Sequence, residues 1–154
     1  MDETFEQQAG AFGAKGALIG LDLGDKTIGV ASCDPERRVA TPVETVARKK
    51  FTVDAARLVA LAEARGAVGW VLGLPRNMDG SEGPRAQATR AFARNLTRVA
   101  GLPLAFWDER LSTAAVERDM IAMDETRAKR AARVDAAAAA FILQGAIDRL
   151  RTMD

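Results

Sequence analysis

Hydrophobic and polar positions in the first third of the chain predict three β-strands. Two apolar runs, Ala17–Leu23 and Thr27–Ser32, flank the turn residues Gly24, Asp25 and Lys26. Gly and Asp tolerate the backbone conformations of a tight turn, so the two runs read as a hairpin. A third run, Val39–Ala47, follows, and its Pro42 predicts an edge position or a bulge. The pattern therefore predicts a three-stranded antiparallel meander.

The rest of the chain alternates between helical and strand periodicity. The predicted elements are a helix over Thr52–Arg65, a strand over Val68–Leu74, a helix over Pro84–Ala100, a strand over Leu102–Trp107, a helix over Ala114–Met123 capped by Ser112 or Thr113, a charged connector over Asp124–Arg133 and a helix over Ala132–Leu150. This order favours an α/β fold with a mixed sheet and helices on its faces. Residues 17–150 are expected to form one domain. Residues 1–16 show no periodicity and are expected to be a mobile leader.

Composition narrows the chemistry that this domain can perform. The 154 residues include no histidine and one cysteine, Cys33, and the formal net charge is +1. The absence of histidine excludes Ser-His-Asp and Cys-His catalysis and histidine-zinc sites. No apolar run approaches the ~20 residues that span a bilayer. We expect no membrane partner, and the lone cysteine suits a reducing cytoplasm.

Three carboxylates occupy notable positions in the predicted elements. Asp22 lies inside the first apolar strand, where a charge is costly unless it is paired. Glu109, with Asp108 beside it, follows the strand Leu102–Trp107, and Asp135 lies in the first turn of the predicted last helix. Functional groups in α/β sheets gather at strand ends and at the helix starts that face them. Alternatively, Asp22 caps a turn, Asp135 complements the helix dipole, and Asp108 and Glu109 are solvated at a strand end.

Converging carboxylates need a counter-charge, and a hard divalent cation supplies it. Mg²⁺ and Mn²⁺ prefer oxygen ligands and promote phosphodiester hydrolysis. With histidine absent, this is the hydrolytic chemistry that best suits the residues present. Asp22, Glu109 and Asp135 are therefore candidate catalytic residues and metal ligands for Mg²⁺ or Mn²⁺.

Two other segments offer groups that could contact phosphate. The glycine-rich loop from Gly73 to Arg85 carries Arg76 and Arg85 and leads into a helix start, although it lacks the Walker pattern. The segment Arg127–Arg133 carries four positive charges immediately before Asp135. Both segments could grip a nucleic-acid backbone, or could be an ordinary surface loop and a solvated helix end.

Four blocks in order resemble the YqgF family. They are Leu21–Ala31 (LDLGDKTIGVA), Gly73–Pro84 (GLPRNMDGSEGP), Asp108–Thr113 (DERLST) and Val134–Ala138 (VDAAA). The similarity spans roughly Leu18 to Leu150, and four ordered blocks are far more specific than one. Members of this family are described as Holliday junction resolvases and as pre-16S rRNA nucleases.

The resemblance implies an RNase H-like fold and a divalent-metal-dependent phosphodiester hydrolase. By motif position, Asp22, Glu109 and Asp135 take the family's acidic catalytic places. The sequence departs from the family's pattern at Asp25, which adds a carboxylate to the turn after Gly24. The predicted substrate contacts are Lys26, Arg76, Asn77, Arg85, Arg110, Lys129, Arg130 and Arg133.

Several functions remain open at this point. The first is a nuclease that matures the 5′ end of pre-16S rRNA during ribosome biogenesis, with nucleic acid as its partner. The second keeps the chemistry but cuts four-way, branched DNA, for which a two-fold homodimer is expected. The third is an ATP-binding module like those of actin and sugar kinases, although 154 residues leave no room for its second domain. The last is a non-catalytic ribosome-assembly factor.

Overall fold

The computed structural model describes residues 4–111 and 127–153 of the chain, with side chains from Asp135 onward in the second range. Within these residues the chain forms a five-stranded sheet in the order β3-β2-β1-β4-β5. The strands are β1 (Leu18–Leu23), β2 (Thr27–Cys33), β3 (Ala40–Ala47), β4 (Gly69–Leu74) and β5 (Leu104–Asp108). The described helices are α1 (Phe5–Ala9), α2 (Phe51–Ala64), α3 (Pro84–Ala100) and α4 (Arg127–Arg151).

The sheet is mixed, as the sequence predicts. β1 pairs antiparallel with β2, and β2 pairs antiparallel with β3, which completes the meander. β1 also pairs in parallel with β4, which pairs in parallel with β5. β3 is an edge strand, and its register with β2 shifts between Val30 and Ala31, where Pro42 faces Ala31. The predicted edge position and bulge at Pro42 are both confirmed.

Helices cover both faces of the sheet, which confirms the predicted layers. α4 lies on one face, where Ile142, Leu143 and Ile147 pack against residues such as Leu18 and Val71. α2 and α3 lie on the other face. Their packing there forms a second core that contains Leu21, Ile28, Leu58, Trp70, Leu72 and Leu96. Alternate residues of β1 therefore enter different cores, as the period of a strand requires.

The last helix begins earlier than the sequence pattern predicts. α4 starts by Arg127, so residues 127–133 are helical rather than part of a connector. Arg, Ala and Lys are strong helix formers, and no Gly or Pro interrupts the segment. Asp135 consequently lies eight residues, about two turns, inside the helix. The prediction that it sits in the first turn is wrong, and a helix dipole that fades beyond that turn does not explain it.

From Thr4 to Gly16 the described residues form a helix and pack against the sheet, so the mobile leader expected for residues 1–16 is corrected for this part. Thr4 and Gln7 form a reciprocal capping box that starts α1. The Phe5 ring meets the Trp107 ring edge to face at 5.0 Å between centroids. Gln8 accepts a hydrogen bond from the backbone N–H of Phe106 on the outer edge of β5, at 2.8 Å.

Arg37 holds the segment that follows α1. This buried guanidinium donates hydrogen bonds to the carbonyl oxygens of Phe12, Gly13 and Gly16. Such contacts were not visible in the sequence because the partners are backbone groups and an edge strand.

That residues 17–150 form the single domain stays a prediction.

Some predicted features fall outside the described residues. These are the helix Ala114–Met123, its cap at Ser112 or Thr113, and the start of the connector at 124–126. Across residues 4–111 and 127–153, no helix combines the length and hydropathy needed to cross a bilayer.

Candidate active site at the carboxyl ends of the strands

Asp22 lies at the centre of the site, near the carboxyl end of β1. Its side chain is 8% exposed, although five of the six β1 residues are apolar or glycine. It points to the α4 face because it alternates with Ile19, Leu21 and Leu23, which enter the other core. A buried carboxylate on a central strand requires neighbours that satisfy its charge.

Gly29 is the neighbour of Asp22 on β2, and it brings Asp135 to the site. The two residues face each other across the antiparallel pair, so they project to the same side of the sheet. A Cβ atom on Gly29 would lie 1.9 Å from the carbonyl oxygen of Asp135. Only glycine therefore allows the α4 backbone to lie this close to β2, and the approach places the Asp135 backbone over the β2 residue that faces Asp22.

Gly73 has the corresponding role on the other side of Asp22. The parallel register of β1 and β4 ends with Leu21 opposite Leu72, and Asp22 and Gly73 are the next residues of the two strands. A Cβ atom on Gly73 would lie 3.1 Å from Cγ and 3.4 Å from Cδ of Glu109. The Glu109 side chain thus lies over Gly73 on the α4 face. The structure brings all three predicted carboxylate positions to one patch of the sheet.

The three carboxylates do not form a closed ligand cage in this arrangement. Thr27 Oγ1 donates a hydrogen bond to Oδ2 of Asp135, which turns that carboxylate toward the β1–β2 turn. In the part of the chain that the structure describes, no three or more His, Cys, Asp or Glu side chains form a group that could hold a metal ion. The patch therefore offers only carboxylate oxygens, and a hydrogen bond from Thr27 sets the orientation of the Asp135 carboxylate.

Asp108, next to Glu109, is engaged with Arg110. The Arg110 guanidinium binds the Asp108 carboxylate through Nε and Nη2, the latter at 2.6 Å from Oδ2. Burial raises the pKa of Asp108, but the hydrogen bonds from Arg110 outweigh it, and the net pKa lies below its ordinary value. Arg110 Nη1 also donates to the carbonyl of Met78 at 3.2 Å. Arg110 thus ties the glycine-rich loop to the end of β5.

Hydrogen bonds within the glycine-rich loop fix its shape. The Asp79 carboxylate accepts from the backbone N–H of Ser81 at 2.9 Å and from its hydroxyl at 2.6 Å. These bonds lower the pKa of Asp79. Asn77 donates to the Ser81 hydroxyl at 3.0 Å, and the backbones of these two residues also pair. Asn77 therefore shapes the loop as well as being a predicted substrate contact.

A shared carboxylate organises the base of this loop. Glu82 receives two hydrogen bonds from Arg90, at 2.6 and 2.7 Å, and lies 3.6 Å from Nη2 of Arg76. The hydrogen bonds with Arg90 lower the pKa of Glu82. The Arg90 guanidinium stacks over the Phe106 ring at 4.9 Å. Arg76 is thus held at the mouth of the site, while Arg85 is exposed at the start of α3.

The remaining predicted substrate contacts lie in the β1–β2 turn and in the first part of α4. Lys26 is exposed in the turn after β1. The backbones of Lys129, Arg130 and Arg133 are helical in α4, but their side chains lie outside the described part of the chain. The roles of all predicted site residues stay predictions.

Sequence reasoning missed Thr27, Gly29 and Gly73. Thr27 and Gly29 lie within five and seven residues of Asp22, and Gly73 opens the glycine-rich loop. The signal that could have identified them is their residue type inside apolar strands. Thr27 carries a hydroxyl, and a glycine in a strand, such as Gly29 or Gly73, often marks a close backbone approach.

The fold is similar to that of solved RuvC structures. It superposes on Thermus thermophilus RuvC with a TM-score of 0.55, covering 88% of this chain and 97% of that one at 15% identity. A structure titled "T. thermophilus RuvC in complex with Holliday junction substrate" gives a TM-score of 0.54 over 88% and 96% of the two chains, also at 15% identity. This likeness confirms the predicted RNase H-like fold.

Sequence comparison identifies the family. Residues 16–149 match the RuvX family, described as Holliday junction resolvase. A protein of Rhodopseudomonas palustris (strain TIE-1), named "Putative pre-16S rRNA nuclease", is 70% identical over 139 residues, which are 90% of this chain and 87% of the relative. A relative of the same name from Bradyrhizobium sp. (strain ORS 278) is 65% identical over 147 residues, covering 96% and 91%. The chain belongs to the RuvX family, which confirms the resemblance drawn from its motifs.

Proposed function

We propose that this protein is a metal-dependent nuclease that hydrolyses phosphodiester bonds of pre-16S rRNA during ribosome biogenesis in the cytoplasm. Its RuvX membership and its nuclease-named relatives support a hydrolase that acts on nucleic acid. The observation that carries the proposal is the row Gly29–Asp22–Gly73 across three adjacent strands. Both glycines admit an acidic residue to the side of a buried aspartate.

The donor set suits a hard divalent cation. All candidate ligands are carboxylates, as Mg²⁺ and Mn²⁺ prefer, and the glycines leave the sheet surface beside Asp22 without side chains. Asp22, Glu109 and Asp135 would hold the ion, and the hydrogen bond from Thr27 would orient the Asp135 carboxylate. When bound, such an ion stabilises negative charge that develops on the phosphate oxygens.

The chain's own residues would position the substrate around this patch. Lys26 in the β1–β2 turn and Arg85 at the start of α3 are exposed cations that could contact phosphates. The Asp108 carboxylate binds Arg110 and so orients its guanidinium plane before substrate arrives, while Arg76 lies 3.6 Å from the Glu82 carboxylate. Pre-oriented groups lower the entropy cost of placing the scissile phosphate at the carboxylates.

Pre-16S rRNA is the favoured substrate because the high-identity relatives carry that name. A four-way DNA junction is the second candidate, since the family is described as a Holliday junction resolvase and RuvC shares the fold. A junction-cutting enzyme would act as a two-fold homodimer that cuts opposed strands.

The test uses Asp22→Asn, which keeps the side-chain size and removes the charge. We expect cleavage of a 5′-extended 16S precursor RNA to fall by at least about 10³-fold in Mg²⁺ or Mn²⁺, because the central ligand is lost. Cleavage is followed on denaturing gels, with a four-way DNA junction as the competing substrate. Chelation of the metal should abolish wild-type cleavage, and Mg²⁺ or Mn²⁺ should restore it.

Asp148→Asn is the matched control. Asp148 is an exposed aspartate thirteen residues after Asp135 on α4, about 20 Å away along the helix axis. This variant should cleave like the wild type. Wild-type cleavage by Asp22→Asn would contradict the proposed site. RNA binding by the wild type without cleavage of either substrate would instead favour a non-catalytic assembly factor.

A further inference from the structure

Three consecutive cations, Arg48, Lys49 and Lys50, follow β3 at the catalytic end of the sheet. β3 runs antiparallel to β2, so its carboxyl end lies beside the β1–β2 turn that follows Asp22. The backbone N–H of Arg48 donates to the carbonyl of Lys26 at 2.9 Å, and its guanidinium donates to the carbonyl of Gly24 at 2.7 Å. The run is therefore joined directly to the turn of the candidate site.

The backbone of this run is held in place by α2. Asp54, buried at 4% exposure, accepts the backbone N–H of Lys49 with both carboxylate oxygens, at 3.1 and 3.3 Å. The carbonyl of Lys50 accepts the N–H groups of Val53 and Asp54 at the start of α2. The backbone is thus fixed while all three cationic side chains are exposed.

The exposed cations around the β1–β2 turn and the start of α3 lack carboxylate partners among the described residues, unlike several other basic side chains. Arg57, Arg90 and Arg110 each pair with a carboxylate within 2.6 Å. Within residues 4–111 and 127–153, Lys26, Arg48, Lys49, Lys50 and Arg85 form no ion pair. Positive charge clustered without partners at one edge of a protein attracts a polyanion, whereas paired charges are locally neutral.

A shallow cleft connects this run to the glycine-rich loop. A cavity of about 240 Å³ lies between the turn after β1 and the start of α3, with Arg48 and Arg85 on its walls and the Asp25 carboxylate also lining it. A second cavity of about 200 Å³ continues from Pro84 and Arg85 to Arg76 and Asn77. The two cavities lie next to each other, because Pro84 and Arg85 line both.

We propose that Lys26, Arg48, Lys49, Lys50 and Arg85 form a binding surface for the sugar-phosphate backbone of the substrate that flanks the cleaved bond. We call these five residues the cationic rim. This inference rests on the proposed nuclease function, since it assigns the path by which substrate leaves the carboxylates. The ligand chemistry is a chain of phosphodiesters, which RNA and branched DNA share.

The test is the salt dependence of binding by the double variant Lys49→Ala/Lys50→Ala. Each phosphate contact contributes about 0.7 to 0.9 to the slope of log K against log salt concentration. The double variant should therefore lower the magnitude of this slope by about 1.4 to 1.8 and weaken binding about tenfold at 0.1 M salt. Fluorescence anisotropy in EDTA, with labelled precursor RNA and with a labelled four-way DNA junction, measures binding without cleavage.

Arg94→Ala/Arg98→Ala is the matched control because it removes the same charge. Both arginines are exposed on α3 and have no ion pair among the described residues, and they lie about 15 and 21 Å along the helix from Pro84. The control should leave the slope within about 0.3 of the wild-type value. Lys49→Arg/Lys50→Arg keeps the charge and should retain the wild-type slope.

The outcomes separate this proposal from the proposed function. A slope change with RNA, with the junction or with both supports the cationic rim and identifies the backbone that it contacts. Equal slopes for the alanine double variant and its control on both probes would overturn it, even if the wild type cleaves RNA. If the wild type cleaves neither probe but the slope changes, the rim stands and the nuclease function fails.

Discussion

The two faces of the sheet differ most at the carboxyl ends of β1 and β4 and at the adjoining amino end of β2. On the α2 and α3 face, this region holds large buried side chains, including Leu21, Ile28 and Leu72. On the α4 face, the same strands present Asp22, Gly29 and Gly73. The first face removes apolar area from water and so contributes stability. The second has no side chains at Gly29 and Gly73, so a helix backbone and an acidic side chain can approach a buried carboxylate.

The residues on the α4 face change from apolar side chains to glycines along the strands. Toward the amino ends of β1 and β4, Leu18 and Val71 pack against α4 in an ordinary apolar core. Near the carboxyl ends, glycines replace these side chains. The difference indicates that α4 is anchored by its carboxyl-terminal half and brings its earlier residues to the site. Three substitutions test this division between an anchoring core and a chemical patch.

The largest effect is expected from Gly29→Ala on the α4 face. Its new Cβ would overlap the Asp135 carbonyl, so α4 must move away from Asp22. We expect cleavage to fall at least about 100-fold, because small displacements of catalytic groups have effects of this size. Thermal unfolding should also show a loss of about 1 to 3 kcal/mol from overpacking.

Gly10→Ala serves as its control, because a Cβ atom added at Gly10 would have no described atom within 4 Å beyond its own helix and chain neighbours. That variant should retain wild-type cleavage and wild-type unfolding. If Gly29→Ala were as active and stable as Gly10→Ala, the close approach of α4 to β2 would not be required for function.

Leu72→Ala, on the opposite face, should separate stability from chemistry. Leu72 is fully buried, and its truncation should lower the free energy of unfolding by about 3 kcal/mol. Cleavage per folded molecule should change little, because the three candidate ligands lie on the α4 face. Chemical denaturation and a cleavage assay well below the unfolding transition measure the two quantities. A loss of cleavage comparable to that of Gly29→Ala would show that the faces are not separable.

Thr27→Val should produce the smallest effect and should act through Asp135 alone. The substitution keeps the side-chain shape and removes the hydroxyl that donates to the carboxylate. Loss of a group that orients a metal ligand typically weakens metal affinity about 10- to 100-fold. We expect Thr27→Val to weaken it about tenfold, because Asp135 is one of three candidate ligands. Titration of cleavage with Mn²⁺ measures the shift in the concentration needed for half-maximal activity.

Thr27→Ser provides the discriminating comparison because it retains the hydroxyl. Its Mn²⁺ concentration for half-maximal activity should stay close to that of the wild type. Equal metal titrations for the valine and serine variants would assign Thr27 a purely structural role in the strand.

Much of the fold was predictable because its signals are local. The meander, both parallel strands and the helix Pro84–Ala100 follow from apolar periodicity and from Gly and Pro at the element ends. The errors also have local causes. The start of α4 was misplaced because charged residues read as a connector, although Arg and Lys are good helix formers. Helix α1 was missed because five residues carry too short a period, and its stability comes from Trp107 and β5.

The sequence by itself determined the order of the five strands and of helices α2 and α3, the family, and the choice of Asp22, Glu109 and Asp135 as candidate ligands. These follow from residue type and from motif spacing, which a linear chain carries in full. Only the tertiary structure decided which residues stand beside Asp22, since strand register and the path of α4 depend on packing across the whole sheet. It placed Gly29 and Gly73 on either side of the aspartate, tied Asp135 to Thr27 and brought Arg48 to the turn. Proximity between residues more than a hundred positions apart is a property of the folded chain.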